Sequence, residues 1–355
     1  MTMVRFWLVL VALLLGNITS KCLGEDLPIG DPASDSLQMR VEKVENNLQD
    51  PSGVAIRPGS TGKRHEVFVL DRGSGNVVRF YSDEPAKTEN VITGFQRNES
   101  DSDGDHSAGG SALAFLSRSR LLVMGDSSEG TRHALRIFEL PSDGESIAAS
   151  ESQQEILGRA HVDEGERSLF GIALDSERVY LCSEESPVAV AEASRQGNGL
   201  GNITAWATAD SGGKPLGATC VTVNPRSDKR YVVVGISAKN GQESSIEFYH
   251  PGTAQRLLSL EIPLLEVAGL AYGPESGLLY AIDVARTDQT RGGIYRLDAR
   301  LDRGRQGCAA HLIAPLVRPR AMAFAPDGTL YVIAGNQLND EHSALSRLYR
   351  VPGPL

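Results

Sequence analysis

An acidic loop near residue 100 has the most metal-like spacing in the sequence. Asp101, Asp103 and Asp105 stand at every second position, as the first ligands of a calcium-binding loop do. A complete loop of the EF-hand kind also needs Gly directly after the third acid and Glu at the twelfth position. His106 and Ala112 stand there instead, so the match fails. A solvated acidic loop is the default interpretation, and weak cation binding is the alternative.

No other local motif specifies a reaction. The sequence has no Gly-x-Ser-x-Gly nucleophile elbow, no His-Glu-x-x-His zinc motif, no phosphate-binding glycine loop and no haem-attachment pair of cysteines. A site can also be assembled from residues that are far apart in the sequence and show no local spacing. The missing motifs therefore leave the question of enzymatic activity open.

The charge balance excludes one class of partner. The chain has 355 residues, with 35 Lys and Arg against 45 Asp and Glu, and a formal net charge of −10. Nucleic-acid binding depends on neutralising phosphates, so we expect no nucleic-acid partner. Apolar residues make up 41% of the chain, which is enough for a large core.

The N-terminus has the pattern of a secretory signal. Arg5 precedes an apolar run at residues 6–15, and small and polar residues follow it. The run is shorter than the roughly 20 residues that span a bilayer. We predict that residues 1–24 form a signal peptide, that no transmembrane segment remains after cleavage, and that the protein is secreted or periplasmic. A retained anchor is the alternative.

The four cysteines are too widely spaced for a disulfide framework or a paired zinc site. One interpretation joins Cys182 to Cys220 as a bridge between neighbouring elements. The favoured interpretation is that both are buried free thiols.

A repeat runs through the whole chain after the signal. Six segments share a small residue between two larger apolar ones, at intervals of roughly 50 to 60 residues. The small residues are Ala55, Ala114, Ala173, Thr222, Ala271 and Ala323. Three further β-rich runs bounded by Gly, Pro, Asp and Ser accompany most of these segments. Four strands in a unit of about 50 residues is the pattern of a β-propeller blade.

The sequence therefore predicts an all-β, six-bladed propeller of four-stranded blades, forming one domain over residues 25–355. Small residues in the first strand suit strands that converge on an axis. The sixth unit ends after its third strand, while an unassigned apolar run at residues 37–44 precedes the first unit. We predict that this N-terminal strand completes the last blade and removes its open edge. An open solenoid is the alternative.

Two units carry a more specific motif. Residues 48–80 contain a Pro-x-Gly-apolar-Ala stretch, an apolar strand ending in Asp71, and a glycine-rich turn into a strand with Arg79. Residues 319–332 of the sixth unit are similar. This pattern resembles the NHL-type propeller repeat. The resemblance implies a six-bladed propeller of the NHL and gluconolactonase-like superfamily.

The gluconolactonase-like resemblance also implies lactone hydrolysis with a divalent metal such as calcium at the axis. Its first ligand is a Glu in the first inner strand, where this chain has Ser52 and Gly53. We therefore assign no metal ligand and predict no cofactor. Asp71 and Asp283, at equivalent places after the second strand, are the nearest acidic candidates. They are equally typical of turn acceptors that close a tight loop.

The longest loops lie on one face of the predicted propeller, around the mouth of its axial channel. They span residues 95–110, 125–133, 235–244, 283–292 and 334–344. Long loops on a rigid scaffold are where binding is usually placed, although tolerated insertions are the alternative. The predicted contact residues are Asp71, Arg72, His106, Asp126, Glu184, Asp283, Arg320 and Asn336. Arg286 and Arg318 are predicted near the same mouth.

These features predict a monomeric, exported propeller that binds a polar small molecule or a protein through its long-loop face. The alternative is a metal-dependent lactonase, another hydrolase or a lyase of the gluconolactonase-like kind.

Overall fold

The computed structural model describes most of the chain after residue 38. The described residues are 39–44, 46–59, 64–95, 112–126, 133–157, 169–183, 190–207, 217–225, 230–237, 243–286, 288–302, 305–335, 346–353 and 355. The predicted signal peptide, residues 1–24, lies outside them. Within these ranges no helix is long and apolar enough to cross a membrane.

The described residues form six sheets, antiparallel except for the short parallel pair of β5 with β9, and these sheets are the blades of a propeller. The first strand, β1 (Glu42–Lys43), belongs to the last blade. Blade one contains β2 (Pro51–Ile56), β3 (Glu66–Asp71), β4 (Asn76–Tyr81) and β5 (Glu84–Thr93). Blade two contains β6 (Ala112–Phe115), β7 (Arg120–Asp126), β8 (His133–Glu139) and β10 (Gln154–Leu157), while the short β9 (Ile147–Ala148) pairs with β5. Blade three contains β11 (Leu169–Leu174), β12 (Arg178–Ser183), β13 (Val190–Gln196), β14 (Gly199–Leu200) and β15 (Thr204–Ala207).

The second half of the chain repeats the arrangement. Blade four contains β16 (Gly217–Val223), β17 (Val232–Ser237), β18 (Ser244–Tyr249) and β19 (Arg256–Ile262). Blade five contains β20 (Val267–Tyr272), β21 (Leu279–Asp283), β22 (Gly293–Asp302) and β23 (Arg305–Pro315). Blade six contains β24 (Ala321–Phe324), β25 (Leu330–Gly335) and β26 (Ser346–Val351), to which β1 is added. Two 3-10 turns lie at Ala149–Glu151 and Gln289–Arg291. The prediction of an all-β, six-bladed propeller is confirmed.

The core consists of six apolar layers, one between each pair of neighbouring blades. Blades one and two, for example, bury Phe68 and Val77 against Leu121 and Val123. The corresponding layer between blades six and one holds Tyr331 and other apolar residues. Because each middle strand packs on both faces, it is apolar throughout rather than alternating. Burial of these layers drives the blades together into a ring.

Two of the small residues of the inner strands lie in a different place from the one predicted. Ala55 and Ala173 are buried in the layers between blades rather than at the axis. Gly171 shows why large side chains are excluded there. A Cβ added to Gly171 would lie 3.1 Å from Cα of Cys220 on the inner strand of the next blade. The close approach of neighbouring inner strands therefore limits side-chain size.

The N-terminal segment closes the ring, as predicted. Strand β1 pairs antiparallel with β26, with Glu42 opposite Arg350. Arg350 Nε donates to Glu42 Oε2 at 2.9 Å, and Val44 N–H donates to the Leu348 carbonyl at 2.9 Å. The strand is shorter than the predicted run at residues 37–44, because Met39 N–H bonds instead to a carbonyl of blade five, that of Ile313.

A second contact joins blades six and one at the opposite face. His65, which precedes β3, is buried, and its Nε2 lies 3.0 Å from Oδ2 of Asp327 in the turn before β25. The backbone N–H of Thr329 also donates to Asp327 Oδ1, at 3.0 Å. This carboxylate therefore ties the turn of blade six to the first blade.

Asp327→Asn tests this contact through its pH dependence. Burial opposes ionisation of Asp327, but hydrogen bonds from His65 and Thr329 outweigh it and lower its pKa. A carboxylate with a lowered pKa contributes stability above its unfolded pKa of about 4, and that contribution is lost as the pH falls through the folded value. The free energy of unfolding in urea should therefore be lower for the variant near neutral pH, and the two proteins should converge in acid.

Asp83→Asn is the matched control, since Asp83 is half-exposed and lies 3.3 Å from the half-exposed Arg64 on the surface. Exposed pairs of this kind contribute little to stability, so this variant should follow wild type at every pH. A gap between wild type and Asp327→Asn that stayed constant into acid would disprove the role given to the Asp327 carboxylate.

Candidate functional site

The mouth of the axial channel lies where the inner strands begin and the second strands end. Asp71 ends β3 and Asp283 ends β21, so both lie at this end of their blades. The loop from β21 to β22, which is described except for residue 287, is one of the predicted long loops. The described part of the mouth is therefore contributed mainly by blades one, five and six.

Asp71 holds the loop that leads into blade one. Its Oδ1 accepts hydrogen bonds from the backbone N–H groups of Gln49 at 3.0 Å and Asp50 at 2.7 Å. The residue is only 2% exposed. The backbone N–H of Arg72 donates to the Asp50 carbonyl at 3.0 Å, which completes a tight junction.

Asp283 holds the loop that leads into blade five. Its Oδ2 accepts from the backbone N–H of Leu265 at 2.9 Å, and its Oδ1 accepts from those of Glu266 at 2.9 Å and Ala285 at 3.1 Å. Asp283 has no exposed surface. Both carboxylates are thus engaged by backbone donors, as the turn-acceptor alternative anticipated, and they fix the loops at the mouth.

The repeat allows residues at the mouth end of one inner strand to be aligned with those of another. Ser52 stands three residues before Ala55, and Arg320 stands three residues before Ala323, so they occupy equivalent positions. Ser52 Oγ donates to the Leu70 carbonyl at 3.2 Å. Arg320 N–H donates to the Ile333 carbonyl at 2.8 Å, which places this arginine directly before β24 at the mouth.

Four arginines gather around this position, and we call them the arginine cluster: Arg72, Arg286, Arg318 and Arg320. Arg320 is half-buried. Loss of hydration lowers its pKa, and the charges of the other three arginines lower it further, whereas the nearby Asp50 raises it. The positive charges are therefore close enough to repel one another.

Two acids accompany the arginine cluster. Asp50 precedes β2 and Glu266 precedes β20, so they too are equivalent in the repeat. Glu266 Oε2 lies 3.5 Å from Arg286 Nε and accepts the backbone N–H of Arg286 at 3.1 Å. Among the residues that the structure describes, four guanidinium groups and two carboxylates therefore meet in this region. Sequence reasoning missed both acids, although each immediately precedes an inner strand.

The remaining predicted contact residues are not placed by the structure. His106, Glu184 and Asn336 lie outside the described residues. Asp126 ends β7 at the mouth side of blade two, but its side chain is not described. The acidic stretch at residues 101–106 also lies outside the described residues.

The described residues do not fit the divalent metal that the resemblance implied. Among them no three His, Cys, Asp or Glu side chains are grouped to hold a metal ion. Ser52 stands in the first inner strand where a Glu was expected. Asp71 and Asp283, the nearest acidic candidates, are occupied by backbone donors.

The cysteines in the described part of the chain are free thiols. Cys182 and Cys220 are buried and unbridged, which agrees with the favoured interpretation. Burial raises the pKa of both, that of Cys220 to about 12. They therefore remain protonated at neutral pH and are poor nucleophiles.

Comparison with known proteins gives the fold a wider context. No family model matches the chain, and no curated protein does. A protein from Thermus thermophilus assigned as an oxidoreductase (glucose dehydrogenase) has a TM-score of 0.54 at 16% identity, over 88% of this chain and 99% of its own. A gluconolactonase from Xanthomonas campestris has a TM-score of 0.54 at 10% identity, over 94% and 99%. A luciferin-regenerating enzyme gives 0.54 at 12% identity, over 89% and 95%.

The chain therefore shares the fold of these three proteins. This confirms the propeller that the repeat and the motif predicted. Identities of 10 to 16% show a shared fold and not a shared activity.

Asp283→Ala tests the structural role of the engaged carboxylates. Removal of the side chain leaves three backbone N–H groups, one buried and two partly buried, without an acceptor, so the free energy of unfolding should fall by about 3 to 5 kcal/mol. Urea denaturation measures this loss.

Asp288→Ala in the same loop is the control. Its Oδ1 accepts the backbone N–H of Thr290 at 3.2 Å but is exposed to water. We therefore expect a loss of about 1 kcal/mol or less. Equal losses in the two variants would contradict the role assigned to Asp283.

Proposed function

We propose that the protein is an exported binding propeller, whose ligand or partner contacts the long-loop face at the mouth of the axial channel. The apolar run after Arg5 supports export. The observation that carries the binding proposal is the arginine cluster. Blades one, five and six bring its positive charges together at the mouth, where Arg320 is half-buried.

The cluster supports binding because it is unfavourable for the free protein. Like charges in a partly dehydrated place repel one another, and removal of water from a guanidinium carries an additional penalty. A ligand or partner with complementary polar groups would offset both terms. The proposed partner is a polar small molecule or a protein, and the proposed state of the chain is a monomer.

Metal-dependent lactone hydrolysis is the second candidate function. Its support is the fold shared with the Xanthomonas campestris gluconolactonase. Since the described residues do not supply a metal site, the donors for this activity would have to come from the long loops. The long loops contain His106 and Asn336, and Glu184 follows β12.

Metal analysis and an activity assay separate the two candidates. We expect the purified mature chain to carry no stoichiometric calcium or zinc, to melt at the same temperature with and without a chelator, and to leave gluconolactone unhydrolysed when either metal is added. Stoichiometric metal together with metal-dependent hydrolysis would establish the second candidate and overturn the first.

The binding face itself is tested with a triple variant, Arg72→Ala, Asp126→Ala and Arg320→Ala. Compounds from a library of polar metabolites that raise the melting temperature of wild type should lose this effect in the variant. The charge-matched control is Arg64→Ala, Asp83→Ala and Arg300→Ala, whose residues lie toward the opposite face. Retention of every ligand by the mouth variant would contradict the proposal.

A further inference from the structure

The outer side of blade five is an open sheet edge in the described part of the chain. Its last strand, β23, has 11 residues and pairs with β22 on one side only. Neighbouring pairs in an antiparallel ladder alternate between bonded and non-bonded, so alternate residues of β23 direct their N–H and C=O groups away from β22. A long open edge of this kind is a template for a further strand.

Two other blades show how this chain covers its sheet edges. The short strand β9 adds in parallel to the outer strand of blade one, where Ile92 lies opposite Ile147. Strand β1 adds to β26 of blade six, where Glu42 lies opposite Arg350. In both blades the covering strand comes from a different part of the same chain. A segment of this chain is therefore the expected occupant of the edge of blade five as well.

The residues that precede β1 already contact this edge. Met39 N–H donates to the Ile313 carbonyl at 2.8 Å, and Ile313 has no partner in the register of β22 with β23. Met39 and Val41 also pack in the apolar layer between blades five and six, which contains Ile313. The chain on the N-terminal side of Met39 therefore begins at the edge of β23.

Within the described ranges, the edge offers backbone groups in one direction from this point. Toward its C-terminal end, β23 stops two residues after Ile313 at Pro315, which has no N–H to donate. Toward its N-terminal end, the strand continues for eight residues, from Leu312 to Arg305. A segment that ran back from Met39 along these eight residues would be parallel to β23, as β9 is to β5.

The sequence before Met39 fits such a strand. Residues 33–38 follow Pro32 and contain no proline, and six residues make a strand of average length. Leu37 continues the alternation of the apolar residues Met39 and Val41. The pattern therefore predicts that the packing of Met39 and Val41 extends to Leu37.

Charge favours the direction toward Arg305. Residues 25–38 contain four acidic residues and no Lys or Arg. Residues 299–307, at the tip of the β22–β23 hairpin, contain three Arg and one Asp. Arg300 and Leu301 are both exposed at this tip. Opposite charges therefore attract the acidic segment along the strand toward the tip.

We propose that residues 33–38 add to the outer edge of β23 as a fifth, parallel strand of blade five, with the acidic residues 25–32 directed toward the arginines of the hairpin tip. The N-terminal segment then joins blade five to blade six and covers an edge that would otherwise be open. This interaction surface lies on the side of the ring and does not depend on the function proposed for the mouth.

Hydrogen exchange of the β23 amides, measured by mass spectrometry, tests the proposal. Residues 306–312 should exchange at least about tenfold more slowly in a chain that begins at residue 25 than in one that begins at residue 37, because hydrogen-bonded amides exchange only when the structure opens. Strand β19, the outer strand of blade four, is the internal control and should exchange equally in both chains. Equal exchange of residues 306–312 in the two chains would overturn the proposal.

A variant of unchanged length keeps the test valid if the shortened chain folds poorly. Asp31→Asn with Asp35→Asn removes two of the four acids and should speed the exchange of residues 306–312 by about threefold, as the loss of two exposed ion pairs allows. Asp83→Asn with Glu84→Gln is the charge-matched control, since both acids are half-exposed on blade one. If the first variant exchanged as slowly as wild type, the proposal would fail.

A peptide added in trans distinguishes the proposed occupant from a second copy of the chain. A synthetic peptide of residues 25–38 should restore slow exchange of β23 in the shortened chain, whereas a peptide of the same composition in scrambled order should not. Protection that rises with protein concentration, together with a dimer in light scattering, would assign the edge to a second copy and overturn the proposal.

Discussion

The pairing of β1 with β26 is the interaction on which the rest of the structure depends. A propeller without this joint has an open edge in its last blade, and blades six and one lose the backbone pairing that the N-terminal segment provides. Blades one and six, which this joint connects, both contribute residues to the mouth of the channel. Arg72 comes from blade one, and Arg318 and Arg320 come from blade six, so the arginine cluster exists only when the ring is closed.

Two kinds of charged group have opposite roles at the mouth. Asp71 and Asp283 are buried and accept hydrogen bonds from two and three backbone N–H groups, so they fix the course of the loops. The arginines repel one another, as the lowered pKa of Arg320 indicates. Asp71 and Asp283 thus fix the loops that carry the arginines, although repulsion between the arginines opposes this arrangement. A rigid scaffold that keeps unfavourable charges together is suited to binding.

The sequence predicts the blades well because their signal is local. Apolar runs, turns and the period of small residues identify six units, and the missing strand of the last unit points to the N-terminus. The reason for the small residues could not be predicted, because the contact of Gly171 with Cys220 joins backbones of two separate units. The sequence also leaves open whether Asp283 binds a ligand or closes a turn, because its hydrogen bonds from Leu265 and Glu266 form only in the folded chain. The sequence predicts Arg320 and the three other arginines at the mouth, but which blades they join there depends on ring closure.

The most direct test of the closed ring is a disulfide across its last joint. Glu42→Cys and Arg350→Cys place thiols at paired positions of β1 and β26. Paired residues in antiparallel strands have Cα atoms about 4.5 to 5.5 Å apart, a distance that a disulfide spans. On mild oxidation, the closed ring predicts a cross-link within the monomer and a higher melting temperature. Cross-links that form only between molecules, or none at all, would contradict it.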